Sequence, residues 1–506
     1  MSNPLDQLKA ENVKLRRTNA SLLIENSLLR QKIDALAKRY FGKKTEKLSA
    51  DQLLLLLNGM SEVSEETQEE NEEPPSRAPK KRPRRSRMQV PDNLPVKDEL
   101  LIPEEVKIQP QLWKEIGRET LEQLDYQPGK FFKRRIIRPK YVRRDLKQQA
   151  PIIVPAPDQL IERGLAAPGL LTQILTSKFC DHLPFYRQEQ IFKSRYGVWI
   201  ARQQMVRWTD QCVTWLEGIH KVMAQEMARS TYLQVDETPV TYLDRDAKDG
   251  SAKGYLWTYL QPHAQVVYDW HPSRAATCLQ SILGNDFSGK IQCDGYRAYQ
   301  RYASDHHLTH LFGCWAHMRR KFVESKEQYP RIVGWILGQI QQLYRWENQL
   351  RESRAGPTLR QAFRSSHHKM VSQRLFKAFE KLSSKILPKS NMGKALSYAL
   401  NQRVPLERVM EDGEVALDNN LVENAIRPTA VGKKNWLFMG TKESGHRSAV
   451  MYTLVQSCRI IGVEPSTYLR DVLENIPKLT NHQITDWTPR NWAIRKGLLK
   501  ATGKAA

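Results

Sequence analysis

Paired cysteines are missing from this chain. Six cysteines in 506 residues stand at 180, 212, 278, 293, 314 and 458, and none forms a C-x-x-C pair. That scatter excludes a disulfide framework and fits a reducing compartment. Long apolar runs are missing too. The longest aliphatic run is Leu53 to Leu57, far short of the ~20 residues of a membrane-spanning helix. The opening Met1-Ser2-Asn3-Pro4-Leu5-Asp6 lacks the basic-then-apolar layout of a secretory signal, so a cytoplasmic location and no membrane are expected. Acidic residues are scarce beside basic ones. Asp plus Glu total 55 against 79 Lys plus Arg, a net charge of +24. Such a surplus favours a polyanionic partner, nucleic acid or an anionic membrane surface. A hydrophobic share of 40% with 12 Trp and 18 Tyr argues for folded matter rather than a disordered polycation. The length suggests three or four domains.

The N-terminus carries the clearest period. Leu8, Leu15, Leu22, Leu29 and Leu36 recur every seventh residue, each preceded three positions earlier by Leu5, Asn12, Asn19, Asn26 and Ile33. Leu at d with Asn at several a positions reads as a parallel, two-stranded coiled coil over 1–45. Asn12, Leu15, Asn19, Leu22, Asn26 and Leu29 would form the seam, so a homodimer or higher oligomer is expected. The alternative is an amphipathic helix packed on its own protein, whose apolar face is usually wider than two positions in seven. Residues 46–90 follow as a charged linker. Glu crowds 62–73, Pro74-Pro75 comes next, and then Lys80-Lys81-Arg82-Pro83-Arg84-Arg85-Ser86-Arg87. Such blocks are solvated tethers or arms lying in a DNA groove; in the second case Arg82, Arg84 and Arg85 would contact DNA.

Residues 91–158 alternate apolar runs with Pro and basic residues and predict a small β-containing module. Residues 159–225 read as helices. Pro184–Phe192 and Arg202–Trp208, separated by a turn with Gly197, have the layout of a DNA-binding helix-turn-helix, and equally that of an ordinary helical hairpin. Arg202, Gln203, Gln204 and Arg207 would point outward as base-edge readers, with Met205 and Trp208 inward.

After residue 230 short strands begin. Tyr232–Val235, Gly254–Tyr259, Gln265–Trp270, Lys290–Cys293 and His307–Phe312 predict a mixed α/β sheet. Asp236 and Asp294 each stand where an apolar strand ends, a place where ligands gather on such sheets. Carboxylates there, on so basic a chain, suit hard cations held between acids and phosphate oxygens. They also suit plain turn starts. Glu423, three residues after Asn420, could be the return arm of a capping box. Asp294 to Glu423 is far longer than the ~30 residues of one strand-to-helix unit, so a helical insertion at 325–400 is expected, with Arg345, Arg351, Arg354, Arg360 and Arg364 on basic faces. His306, His307, His310, Cys314 and His317 lack paired-ligand spacing, and no zinc is expected.

The ordered set of motifs resembles the insertion sequence 66 family of transposases. It comprises Phe41-Gly42-Lys43-Lys44-Thr45-Glu46, Val235-Asp236-Glu237-Thr238, Cys293-Asp294-Gly295-Tyr296 and Cys314–Phe322. It continues with Leu417–Pro428, Gly432–Phe438 and Gly462–Leu469. The resemblance implies a ribonuclease-H-like catalytic core over 226–324 and 401–445, with a C-terminal helical region at 446–506. It implies a DDE triad of Asp236, Asp294 and Glu423, holding two Mg²⁺ ions (or Mn²⁺) ~3.5–4 Å apart. Asp236 would bridge both ions. Water attack would free a 3′-hydroxyl at the element's terminal inverted repeat, and that hydroxyl would attack target DNA. It also implies a bacterial, nucleoid-associated protein acting on double-stranded DNA, the element ends and the target, in a family that often travels with small accessory proteins. His317, Arg319, Arg320, Arg427, Lys433, Lys434 and Trp436 are expected near DNA, although Arg427 could pair with Glu423 and Trp436 could be buried. The family's cysteine zinc module has no counterpart here, because the first cysteine is Cys180. A catalytically inactive DNA-binding regulator and a structure-specific nuclease are the competing readings.

Overall fold

The computed structural model describes residues 129–137, 140–141, 152–153, 158–162, 164–307 and 309–500. The zipper, with Asn12 through Leu29, the linker, with Arg82, Arg84 and Arg85, and most of 91–158 lie outside the described residues. Within that last module two short strands pair antiparallel, β1 (Lys140–Tyr141) and β2 (Ile152–Ile153). Phe131 sets its ring edge-on to Phe192 and Tyr196, each 5.2 Å away between centroids.

Three helices follow, α1 (Pro168–Phe179), α2 (Phe185–Tyr196) and α3 (Arg202–Ala228). Gly197 closes α2 in the left-handed conformation, φ 66°, which costs glycine nothing. The helix, turn and helix are therefore present, with Arg202, Gln203 and Arg207 exposed, Gln204 half-buried, and Met205 and Trp208 inward. Yet α3 is 27 residues long, about 40 Å. Its apolar stripe continues through Cys212, Leu216, Ile219, Met223 and Met227, all fully buried. Only its first turns are free to meet a ligand.

The sheet contains β3 (Tyr232–Leu243), β4 (Ser251–Gln261), β5 (Gln265–His271), β6 (Lys290–Gln292) and β7 (His310–Phe312), in the order β5-β4-β3-β6-β7. The first three are antiparallel, and β6 and β7 run parallel to β3. The outer edge of β5 is sealed by α13 (Glu443–Ile460). There Ser457 Oγ accepts the Val266 N–H at 3.0 Å, and Thr453 Oγ1 accepts the Tyr268 N–H at 2.9 Å. Hydroxyls thus satisfy an edge that would otherwise template another strand. Gly445 allows the close approach, since a Cβ there would lie 2.1 Å from the Trp270 ring.

One apolar core joins α1–α3, the sheet and the C-terminal helices, running from Leu160 to Ala493. The divisions expected at 225 and 445 therefore do not coincide with breaks in the core, because the α3 stripe and α13 pack on the sheet itself. A second core forms around the insertion. Its elements are α6 (Trp315–Val323), α7 (Pro330–Glu352), α8 (Pro357–Phe363), α9 (Lys369–Ser383), α10 (Asn391–Asn401) and α11 (Arg403–Arg408). Phe312 and Leu417 belong to it as well, so it reaches beyond 325–400 at both ends. Arg345, Arg351 and Arg354 are exposed there, but Arg364 is fully buried beside Glu347, 2.6 Å away. The basic face expected to include Arg364 does not, because its guanidinium neutralises an internal carboxylate.

Candidate active site

Asp236 lies inside β3, opposite Thr258 of β4, and not at the strand's end as its sequence setting suggests. Pro239 reads as a strand breaker, but β6 pairs only with Tyr232 to Gln234. Beyond Gln234 that side of β3 has no strand neighbour, so the missing N–H of Pro239 disrupts no ladder. Alternation places Tyr232, Gln234, Asp236 and Thr238 on one face.

Helix α12 (Asn420–Trp436) crosses that face. Gln234 Oε1 accepts the Val422 N–H at 3.2 Å at its start, and Lys433 Nζ donates to Thr238 Oγ1 at 2.9 Å near its end. Glu423 sits in the first turn, where the helix dipole favours an anion. It caps nothing; the Gln234 side chain serves one of the free N–H groups instead.

Gln234 pairs with Gln292 across β3 and β6. Its Nε2 reaches Gln292 Oε1 at 2.9 Å and the Asp418 carbonyl at 3.0 Å, and Gln292 Nε2 donates to the Ala416 carbonyl at 2.7 Å. Two buried amides thereby tie both strands to the peptide feeding α12. Each catalytic candidate stands two residues beyond its glutamine. The repeated Gln-x-Asp, at Gln234-Val235-Asp236 and Gln292-Cys293-Asp294, is the sequence signal that would have revealed this device. Asp294 Oδ1 accepts the Tyr296 N–H at 2.8 Å, turning the chain into α5 (Arg297–Asp305). Gly295 is needed there because a Cβ would meet the Tyr398 ring at 2.7 Å.

The site is crowded with negative charge. Burial above all, then the charges of Glu237 and Asp294, and more weakly Glu423, push the Asp236 carboxyl up to about 8. Glu237 is itself held by Arg274, whose Nε donates at 2.7 Å, and by the Tyr299 hydroxyl. The Arg274 guanidinium stacks 3.8 Å from the Tyr296 ring centroid. Glu423 faces Arg320 Nη2 at 3.2 Å and His317 Nδ1 at 3.5 Å. Its Oε1 and His317 Nδ1 are buried without a hydrogen bond. Among the described residues no three His, Cys, Asp or Glu side chains are gathered closely enough to hold a metal ion. The acids that feel one another, Asp236, Asp294 and Glu423, offer only oxygen donors, the set a hard cation takes. A dication would also relieve the like-charge crowding at Asp236.

Comparison with protein families decides the relationship. The family model described as Transposase IS66 family matches residues 163–447, which include the whole sheet, both aspartates and Glu423. The chain belongs to the IS66 transposase family. Two further models match, Transposase C of IS166 homeodomain over 28–98 and IS66 C-terminal element over 453–489. The uncharacterized protein y4qI of Sinorhizobium fredii is 34% identical over 384 residues, which is 71% of this chain and 68% of the relative. The uncharacterized protein y4jD of the same organism is 30% identical over 394 residues, 74% and 76% of the two chains.

In this IS66 transposase the residues expected near DNA divide by burial. Arg319, Arg320, Arg427 and Lys434 are exposed. The partner of Glu423 is Arg320 and not Arg427. Lys433 turns inward to Thr238 and the Pro239 carbonyl, and burial lowers its pKa; it is not a free cation. Trp436 is half-buried and hydrogen-bonds Tyr452, the packing role. Among the described residues no helix is long and apolar enough to cross a membrane.

Proposed function

We propose that this transposase binds the terminal inverted repeats of its element, cleaves their 3′ ends and joins them to target DNA, with Asp236, Asp294 and Glu423 as catalytic carboxylates. The observation that carries this reading is the electrostatic reach of Asp294 and Glu423 to Asp236, from three distant parts of the chain. The sheet order, three antiparallel strands followed by two parallel ones, supports a ribonuclease-H-like core. The three carboxylates would hold Mg²⁺, or Mn²⁺ in its place. When bound, such ions activate the attacking oxygen and stabilise the leaving one.

The protein's own residues do the rest. Gln234 and Gln292 fix the backbone from which the acids project. Arg320 and His317 hold the Glu423 carboxylate and, with Arg319 and Arg427, offer positive charge to DNA phosphates. Arg202, Gln203, Gln204 and Arg207 at the free end of α3 read base edges. The segment matched as a homeodomain and the basic arm add further DNA contact, and the zipper pairs two chains so that two ends are held together. The test is Asp236→Asn in the full chain, assayed on labelled duplexes carrying the DNA at the element's borders. Loss of Mg²⁺-dependent cleavage with binding retained supports the reading; retained cleavage overturns it. Nicks without joined product in the native chain point to a nuclease, and shifted bands alone to a regulator.

A further inference from the structure

Glu423 follows the peptide 409–419, and the helical insertion grips that peptide at two points. Arg364, in a one-turn π-helix spanning Arg364–His368, directs Nη1 at the carbonyls of Val409, Asp412 and Val415, at 3.3 Å for Val409 and 2.7 Å for Val415. Its Nε is held by Glu347 Oε1 at 2.6 Å. Nearer the site, the Tyr344 hydroxyl donates to Asp418 Oδ2 at 2.8 Å, and Asp418 Oδ1 accepts the Asn420 N–H at 3.1 Å, at the first residue of α12. Tyr344 and Glu347 are three residues apart on α7, on one helix face. Gln234 and Gln292 grip the same peptide from the sheet side. The segment that delivers Glu423 is therefore clamped between the sheet and the insertion.

Apolar side chains would fill this space at less desolvation cost than a buried arginine. What directed hydrogen bonds add is a fixed register for the backbone they hold. We propose that Tyr344 and Arg364 are positioning residues, through which the insertion sets the place of the Glu423 carboxylate relative to Asp236 and Asp294. The inference rests on the triad reading above, and misplacement by about 1 Å at a reacting centre can cost up to ~100-fold in rate.

The test compares full-length Tyr344→Phe, Arg364→Lys and Glu423→Gln with the native chain. Single-turnover Mg²⁺-dependent cleavage is followed on saturating border DNA, with DNA affinity and reaction amplitude measured alongside. For Tyr344→Phe a rate constant lowered about tenfold is expected, at unchanged amplitude and unchanged DNA affinity. Arg364→Lys should fall further; if it does not fold, Tyr344→Phe alone decides. An unchanged rate constant overturns the proposal. So does a loss confined to amplitude, which marks a purely structural role, or a loss confined to DNA affinity. If Glu423→Gln cleaves normally, the triad reading itself fails and the clamp falls with it. If Glu423→Gln is dead while Tyr344→Phe is native, only the clamp falls.

Discussion

Replacing Asp236 by Asn should make the protein more stable while removing its activity. The carboxyl is pushed from 3.8 up to about 8, so the folded chain binds this proton across a window in which the unfolded chain has released it. Stability changes with pH in proportion to protons bound unfolded minus protons bound folded. That difference is close to minus one between about pH 4 and pH 8, so this group's contribution is full below about pH 4. It is lost as pH rises through the folded value. At 1.36 kcal/mol per unit the upper limit is on the order of 5 kcal/mol. With an effective dielectric near 20 at protein sites, a measured difference of roughly 1–3 kcal/mol is expected. Asn keeps the shape and cannot ionise. Melting curves of both proteins in chelator, from pH 4 to pH 9, should diverge steadily to about pH 8 and then run parallel. Adding Mg²⁺ should narrow the gap by stabilising the native protein alone. A gap that does not depend on pH would refute the reasoning, because it would show that Asp236 does not carry the strain of its neighbours' charge.

Other outcomes follow from the same geometry. Gln234→Leu leaves the Val422 N–H and the Asp418 carbonyl without their side-chain partner, which should cost about 1–3 kcal/mol in denaturant melts and slow cleavage without weakening DNA binding. Arg202→Ala with Arg207→Ala should weaken border-DNA binding and reduce the salt slope of log K by about 2 if both touch phosphates, read by fluorescence anisotropy at several salt concentrations. A peptide of residues 1–45 should sediment as a dimer, and a monomeric profile would contradict the zipper.

The sheet was legible because its strands have strand composition, and all five expected segments form strands. Composition could not give the length of β3. Pro239 stops a central strand on paper, yet it is tolerated where β6 has already ended. The three acids were found through family motifs. What ties them together is tertiary: Gln234 and Gln292 look like ordinary polar residues until pairing sets them side by side. Arg364 and Lys433 were misjudged for one reason. A basic side chain reads as solvated unless its buried partner is known, and Glu347 and Thr238 are distant in sequence from the cations they hold. The α2–α3 hairpin was recognisable from Gly197 and the outward Arg and Gln, but the burial of the rest of α3 against the sheet depends on contacts that no local pattern announces.

The central claim is that Asp236, Asp294 and Glu423 close on divalent ions. Diffraction from crystals of the transposase soaked with Mn²⁺, using the metal's anomalous signal, tests it most directly. The account predicts Mn²⁺ ligated by oxygens of Asp236 and Asp294, with Glu423 withdrawn from Arg320 and His317 to complete the site. Manganese bound elsewhere, or Glu423 still paired with Arg320 beside an occupied metal, would contradict it.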